Sequence, residues 1–313
     1  MARLVKPSRI SPGSTIAIVA PAGPPDPRRL RIGAAFLKQR GYNVRVFPQA
    51  RRKLGYLAGD DRARAEALND AFNDETIDAI ICARGGFGSL RILEYLDFDL
   101  IRSNPRIFVG YSDITVLLLA IYSRTSLVTF HGPMAAVEFG RRLRPYTIER
   151  FFAAIESNGA LGEIKRPSGY RLERIVGGKT EGRIVGGNLS LMTKLVGSGF
   201  LPSFRNRIVF LEDTEEEAYR IDGYLSQLIR GTDFASARAF IIGEFTRTEP
   251  RYGDTAGWSV KRVIGDYFSR LGRPCIYGFP CGHGREKITI PIGIRVVLDA
   301  DKKRVSFKEA GVR

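Results

Sequence analysis

The sequence predicts an α/β protein in two parts, an N-terminal doubly wound parallel-sheet domain followed by a C-terminal mixed α+β domain. Three observations lead there. Short runs that are apolar throughout, such as residues 79–82 and 107–109, alternate with longer stretches of helical period, the pattern of parallel strands covered on both faces. The texture changes after residue 156, where residues 157–179 are rich in Gly, Pro and charge and have no clear period. At 313 residues the chain is long enough for about two domains. The expected division is residues 1–156, a linker at 157–179, and residues 180–313.

Residues 15–19 form a short apolar strand that must end at Ala20-Pro21-Ala22-Gly23-Pro24-Pro25, because proline fixes φ and removes a donor. Residues 27–40 carry Leu30, Ile32, Ala35, Phe36 and Leu37 on a helical face, and Gly41 stops the helix. A second strand at 44–47 precedes a helix that Asp60 or Asp61 can cap, with Ala63, Ala65, Leu68, Ala71 and Phe72 on its apolar side. The third strand, 79–82, runs into the glycine-rich turn Arg84-Gly85-Gly86-Phe87-Gly88 and a helical stretch ending near Leu96. After Pro105, residues 107–109 read as a strand, Gly110 and Ser112 as a sharp turn, and residues 114–121 as a buried helix. A strand around 128–130, then His131-Gly132-Pro133, and a helix at 145–155 complete the first domain. The second half has β-like runs at 182–185, 208–211, 239–242, 288–290 and 296–298, and helical patterns at 189–196, 219–229 and 259–271.

Composition narrows the function classes. With 44% hydrophobic and 26% charged residues the chain is globular, not disordered. No apolar run approaches the ~18 residues of a membrane span. The N-terminus lacks a signal-type apolar segment, and three cysteines are too few and odd in number for a disulfide framework. A cytoplasmic protein without a membrane partner is expected. The net charge of +16 raises a nucleic-acid-binding reading. Against it, the arginines are spread along the whole length, with only short clusters such as Arg51-Arg52-Lys53 and Arg141-Arg142, and there is no aromatic-basic signature. Diffuse charge that aids solubility and draws in an acidic substrate is the reading adopted, with no nucleic-acid partner.

A serine at the apex of a strand-turn-helix lies at a strand's carboxyl end, beside the positive end of a helix, the placement of an acyl-transfer nucleophile. Ile114 stands where the second glycine of Gly-x-Ser-x-Gly belongs, and Ser112 or Asp113 as a plain helix cap is the competing reading. In a doubly wound domain, this turn and the glycine turn at 84–88 both follow strands and share one crevice. A serine needs a base. The two histidines are His131, in His-Gly-Pro, and His283, in the small-residue loop Cys281-Gly282-His283-Gly284. A carboxylate to orient the imidazole is offered by Glu212 or Asp213, which end the run at 208–211. A nucleotide site at Gly85-Gly86-Phe87-Gly88 lacks the required third glycine or a Lys-Ser/Thr phosphate loop, and Cys275, Cys281 and His283 fit no common zinc spacing. No cofactor and no metal are expected.

Taken together, Ala-Pro-Ala-Gly-Pro (20–24), Tyr-Leu-Ala-Gly-Asp (56–60), Ala-Arg-Gly-Gly-Phe-Gly (83–88), Gly-Tyr-Ser-Asp-Ile-Thr (110–115), Phe-His-Gly-Pro-Met (130–134), Gly-Gly-Asn-Leu (186–189), Leu-Glu-Asp (211–213), Tyr-Arg-Ile-Asp (219–222) and Gly-His-Gly (282–284) resemble the LD-carboxypeptidases. These are cytoplasmic serine peptidases that release the terminal D-alanine of muropeptide tetrapeptides; the family includes the microcin C immunity peptidases. The resemblance implies Ser112 as nucleophile, Glu212 as orienter, His283 as base, and an oxyanion hole from the Gly86 and Asp113 N–H groups. It also implies a homodimer. Nucleophile and base then come from different halves of the chain. A carboxypeptidase must hold a terminal carboxylate, and Arg84, beside the glycine turn, is the candidate, with a structural ion pair as the competing role. A muropeptide is the expected substrate, with a microcin-type acylated nucleotide as the alternative.

Overall fold

The computed structural model describes residues 3–141, 144–249 and 257–313. Two compact units divide the chain. The first comprises residues 1–159, 288–293 and 310–313; the second comprises 160–287 and 294–309. The chain therefore returns twice to the first unit after residue 287, which composition gave no means of anticipating.

In the first unit, β1 (Thr15–Val19), β2 (Asn43–Val46), β3 (Ala79–Cys82), β4 (Ile107–Gly110) and β5 (Phe130–His131) are parallel. The late segment β12 (Ile290–Pro291) closes the edge antiparallel to β5, giving the order β12-β5-β4-β3-β1-β2. Strands β3 and β4 are buried at every position, as their unbroken apolarity requires. Helix α1 (Pro27–Gln39) starts where Asp26 accepts the Arg29 N–H at 2.8 Å and Pro27 presets φ. Its buried side is Leu30, Gly33, Ala34 and Leu37, whereas Ile32, expected inward, is 44% exposed. Asp60 caps α2 (Asp61–Asn73) through the Ala63 N–H at 2.8 Å. The stretch after the glycine turn is a 3-10 turn at Ser89–Tyr95. It is followed by α3 (Phe98–Ser103), α4 (Thr115–Thr125), buried along nearly its whole length, and α5 (Pro145–Glu156).

The second unit is built on an eight-stranded sheet. Segment 157–179, expected to be a linker, supplies β6 (Gly162–Glu163) and β7 (Glu173–Val176). The centre is parallel: β8 (Lys179–Asn188), β9 (Arg207–Thr214), β10 (Ala239–Thr246) and β11 (Cys275–Tyr277). Strands β13 (Arg295–Asp299) and β14 (Arg304–Phe307), with β6, extend one side antiparallel, and β7 closes the other. Helices α6 (Leu189–Lys194), α7 (Ala218–Gly231) and α8 (Val260–Leu271) cover it. Phe240 and Phe268 meet at 4.7 Å between ring centroids, pinning α8 to β10 by about 0.5–1.5 kcal/mol beyond the area they bury.

Candidate active site

Parallel strands put the loops after β1, β2, β3 and β4 at one edge of the first sheet, where doubly wound folds receive ligands. Ser112 lies two residues past the last residue of β4, Gly110, and is half-buried. Its φ is +61°, a left-handed backbone that costs a non-glycine residue ~1–2 kcal/mol and that neither competing cap role requires. Asp113 is no cap either, because its buried carboxylate accepts the Ser89 N–H at 2.9 Å and ties the serine turn to the segment after the glycine turn. The absent second glycine is compensated at the first. A Cβ on Gly110 would come within 2.6 Å of Ile114 Cγ2, so the isoleucine occupies space that Gly110 vacates.

The glycine turn lies against the serine. A Cβ on Gly85 would stand 2.9 Å from Ser112 Cβ, 3.0 Å from its Oγ and 3.3 Å from the Asp113 nitrogen. Gly86, at φ +121°, is exposed, and its N–H donates to no described residue. Arg84 makes no ion pair among the described residues; its guanidinium donates to the Gly85 carbonyl at 3.2 Å and the Pro24 carbonyl at 3.4 Å. His131 pairs in register with Gly110 across β4 and β5 but is 1% exposed, packed 5.9 Å from the Tyr111 ring.

In the second unit, His283 Nδ1 is 2.7 Å from Glu212 Oε2. The Glu212 side chain is fully buried and the imidazole is 12% exposed. Burial works to lower the imidazole pKa, but the Glu212 charge and hydrogen bond outweigh it and hold it above the ordinary value. Asp213, next along β9 and so on the opposite face of the sheet, is differently engaged. Asn188 Nδ2 at 2.9 Å and the Ser190 and Thr214 N–H groups at 2.8 Å donate to it. Burial and the Glu212 charge nevertheless raise its pKa to about 7. It fastens the start of α6, while Glu212 faces the histidine.

Sequence reasoning missed Glu244. The β9–β10 register slips by one residue between Ile242 and Phe245, a bulge that brings Glu244 to the histidine loop. A Cβ on Gly282, at φ +86°, would overlap Glu212 Oε2, and one on Gly284 would overlap Glu244 Oε2. Both glycines are thus required by the carboxylates on either side of His283. Glu244 accepts from Tyr170 Oη at 3.1 Å, and that oxygen accepts the Glu286 N–H at 2.8 Å. Burial drives the Glu244 pKa to about 7. A signal was present: Glu244 ends the apolar run 239–243 as Glu212 ends 208–211. Cys275 and Cys281 are buried, with thiol pKa values pushed up by burial, the reverse of what a thiolate ligand needs. Among the described residues no group of three or more His, Cys, Asp or Glu side chains is placed to hold a metal.

Comparison with known proteins gives concordant matches. Residues 16–132 match the LD-carboxypeptidase N-terminal domain and residues 181–298 the LD-carboxypeptidase C-terminal domain. The probable murein peptide carboxypeptidase of Bacillus subtilis is 38% identical over 98% of this chain and 95% of its own. The microcin C7 self-immunity protein MccF of Escherichia coli is 29% identical over 93% of this chain and 91% of its own. A solved structure of MccF in complex with glutamyl sulfamoyl guanosine matches with a TM-score of 0.91 at 26% identity, covering 98% of this chain and 99% of that one. The muramoyltetrapeptide carboxypeptidase from Oxalobacter formigenes matches with a TM-score of 0.82 at 28% identity, over 94% and 98%.

Proposed function

Because the chain belongs to the LD-carboxypeptidase family, we propose that it is a serine carboxypeptidase hydrolysing the L-to-D amide bond that holds the terminal D-alanine of muropeptide tetrapeptides. The observation that carries this is the histidine oriented by a buried carboxylate, Glu212 to His283 at 2.7 Å, in a chain whose Ser112 is held at a positive φ. On this reading His283 takes the proton of Ser112 through Nε2, the nitrogen left when Nδ1 donates to Glu212. Ser112 Oγ attacks the scissile carbonyl, and the Gly86 and Asp113 N–H groups receive the oxyanion. The C–N bond breaks, His283 protonates the leaving amine, and D-alanine departs. Water, deprotonated by His283, then hydrolyses the acyl-enzyme and restores the serine. Arg84, with no carboxylate partner of its own among the described residues, is suited to the substrate's terminal carboxylate.

The first unit thus carries the nucleophile and the second the orienter and base. The reading also implies a cytoplasmic homodimer; among the described residues no helix is long and apolar enough to cross a membrane. Incubating the pure protein with a tetrapeptide ending in D-alanine, and weighing the products, tests the assignment. Loss of one alanine residue supports it, and an unchanged tetrapeptide rejects it. The likeness to MccF favours one second reading, cleavage of an acylated nucleotide, which the same assay examines with an aminoacyl sulfamoyl adenosine.

A further inference from the structure

Arg64, on the inward side of α2, is 0% exposed. Taking a guanidinium out of water is costly, and replacing a buried cation by an apolar side chain of its volume is often neutral or stabilising, so packing alone does not call for arginine here. What the fork does is hold loops. Its Nη1 donates to the Pro21 carbonyl at 2.6 Å, in the loop after β1, and to the Gly88 carbonyl at 2.9 Å, at the end of the glycine turn after β3. Its Nη2 pairs with Asp61, three residues back on α2, and Asp61 also receives Arg91 Nε at 3.0 Å and Arg91 Nη2 at 2.7 Å. A Cβ on Gly88, at φ +119°, would stand 2.7 Å from Arg64 Nη1 and 2.6 Å from Leu57 Cδ2, so glycine at this position is what lets the guanidinium in.

The turn held in this way bears on both N–H groups assigned to the oxyanion. Gly86 lies two residues before Gly88, and Ser89, the residue after it, donates its N–H to the Asp113 carboxylate at 2.9 Å. At the other end the Gly23 N–H ties the turn to the loop after β1 through the Gly85 carbonyl at 3.2 Å, and Gly85 packs against Ser112 and the Asp113 nitrogen. The Arg64 fork closes this ring of contacts from the loop after β1, through the glycine turn, to the serine turn. We propose that Arg64 is a positioning residue: by joining the Pro21 and Gly88 carbonyls it fixes the spacing of the Gly86 and Asp113 N–H groups about Ser112, and so sets how well they receive the oxyanion. Sealed from solvent, it acts only through the turn. The inference rests on the serine-nucleophile part of the reading above, not on which amino acid leaves.

Arg64→Met keeps much of the volume and loses the fork. On a D-alanine tetrapeptide it is expected to lower kcat roughly 10- to 100-fold with KM changed less than about threefold, because the oxyanion donors act in the transition state more than on the bound substrate. Arg64→Lys, which keeps the charge, is expected to lose less, and in both variants the acid limb of kcat/KM should stay at the wild-type midpoint, since His283 is untouched. Arg62→Met, exposed on the same helix, removes the same charge and is expected to leave kcat within about twofold of wild type. Should Arg64→Met fail to fold, Asp61→Asn, partly exposed at the start of α2, leaves the fork unsupported and should lower kcat roughly threefold or more at unchanged KM. Wild-type kcat per mole of folded variant at a lowered thermal midpoint would make Arg64 merely structural and overturn the proposal, and so would a loss carried by KM or a moved acid limb. A fluorophosphonate, which loses fluoride to Ser112 and sets its phosphonyl oxygen where the oxyanion forms, reads the same effect without a peptide, and its rate should fall in Arg64→Met by a similar factor. If the wild type takes the phosphonate at Ser112 but releases no D-alanine, the carboxypeptidase reading fails while the phosphonate rate still decides the role of Arg64, an unchanged rate in the variant overturning it. A wild type inert to both removes Ser112 as nucleophile and the inference with it.

Discussion

Glu212 Oε2 lies 2.7 Å from His283 Nδ1, with the carboxylate fully buried behind the ring. Glu212→Gln keeps the shape of this contact but removes its charge, and the amide no longer enforces the tautomer that leaves Nε2 basic. By analogy with the effect of the same change in other triads, kcat should fall on the order of 10⁴-fold. Steady-state kinetics on a D-alanine tetrapeptide measures it, and a loss under about tenfold would remove Glu212 from the orienting role.

The pH profile follows from the same pair. His283 must be neutral to act as base, and its pKa is held above the ordinary value against the opposing effect of burial. The acid limb of kcat/KM should therefore have its midpoint above about 6.5. In Glu212→Gln burial acts unopposed by the carboxylate, so the residual activity should show that midpoint moved to lower pH. A midpoint that stays put in the variant would assign the limb to another group.

Ser112 at φ +61° stores strain that glycine would relieve. Ser112→Ala and Ser112→Gly should both lower kcat by roughly 10⁴ to 10⁶. They should differ in stability, with the glycine variant more stable than the alanine variant by about 1 kcal/mol, since only glycine adopts this backbone freely. Urea unfolding of the two variants gives the comparison.

The glycines around His283 are spacers for two carboxylates. Gly282→Ala drives a methyl group into Glu212 Oε2 and imposes a positive φ on alanine. It should cost about 1–3 kcal/mol of stability and reduce kcat along with it. Retention of full activity in this variant would mean that the Glu212 position is dispensable.

Glu244 couples stability to pH. Its folded-state pKa, raised by burial to about 7, lies above the value it has in an unfolded chain. Its contribution is fully present below the unfolded pKa and is lost as pH rises through about 7. Wild-type stability should decline across that window, and Glu244→Gln should flatten the decline. Asp213, with a pKa near the same value, preserves part of the slope. Denaturation midpoints at about pH 5 and about pH 8 read the difference.

Much of this was legible in the residues. Unbroken apolar runs marked the parallel strands, and local chemistry marked the arrest of β1 at Ala20-Pro21 and a cap at Asp60 or Asp61, of which the structure takes Asp60. Ser112, Glu212 and His283 are candidates in the sequence because each lies at or near the end of an apolar run or among glycines, and their proposed roles rest on the family resemblance. What stayed hidden is non-local. Period alone does not tell that Ile290–Pro291 pairs with β5, since a two-residue strand has no period to read. Nor does it show the one-residue slip in β10 that turns Glu244 toward the histidine loop, because a bulge is a property of the pairing and not of either strand.

That late strand has a consequence for how the protein is born. During synthesis, Phe130 and His131 emerge long before Ile290, so roughly 160 residues must be added, taking about 10–30 s at ribosomal speed, before the open edge of β5 meets its mate. Until then the nascent first unit presents unpaired backbone amides and carbonyls, the kind of edge that recruits stray strands. Its assembly is finished only by residues 288–293 and 310–313, so premature termination anywhere between the Ser112 segment and residue 288 still leaves that segment unsealed.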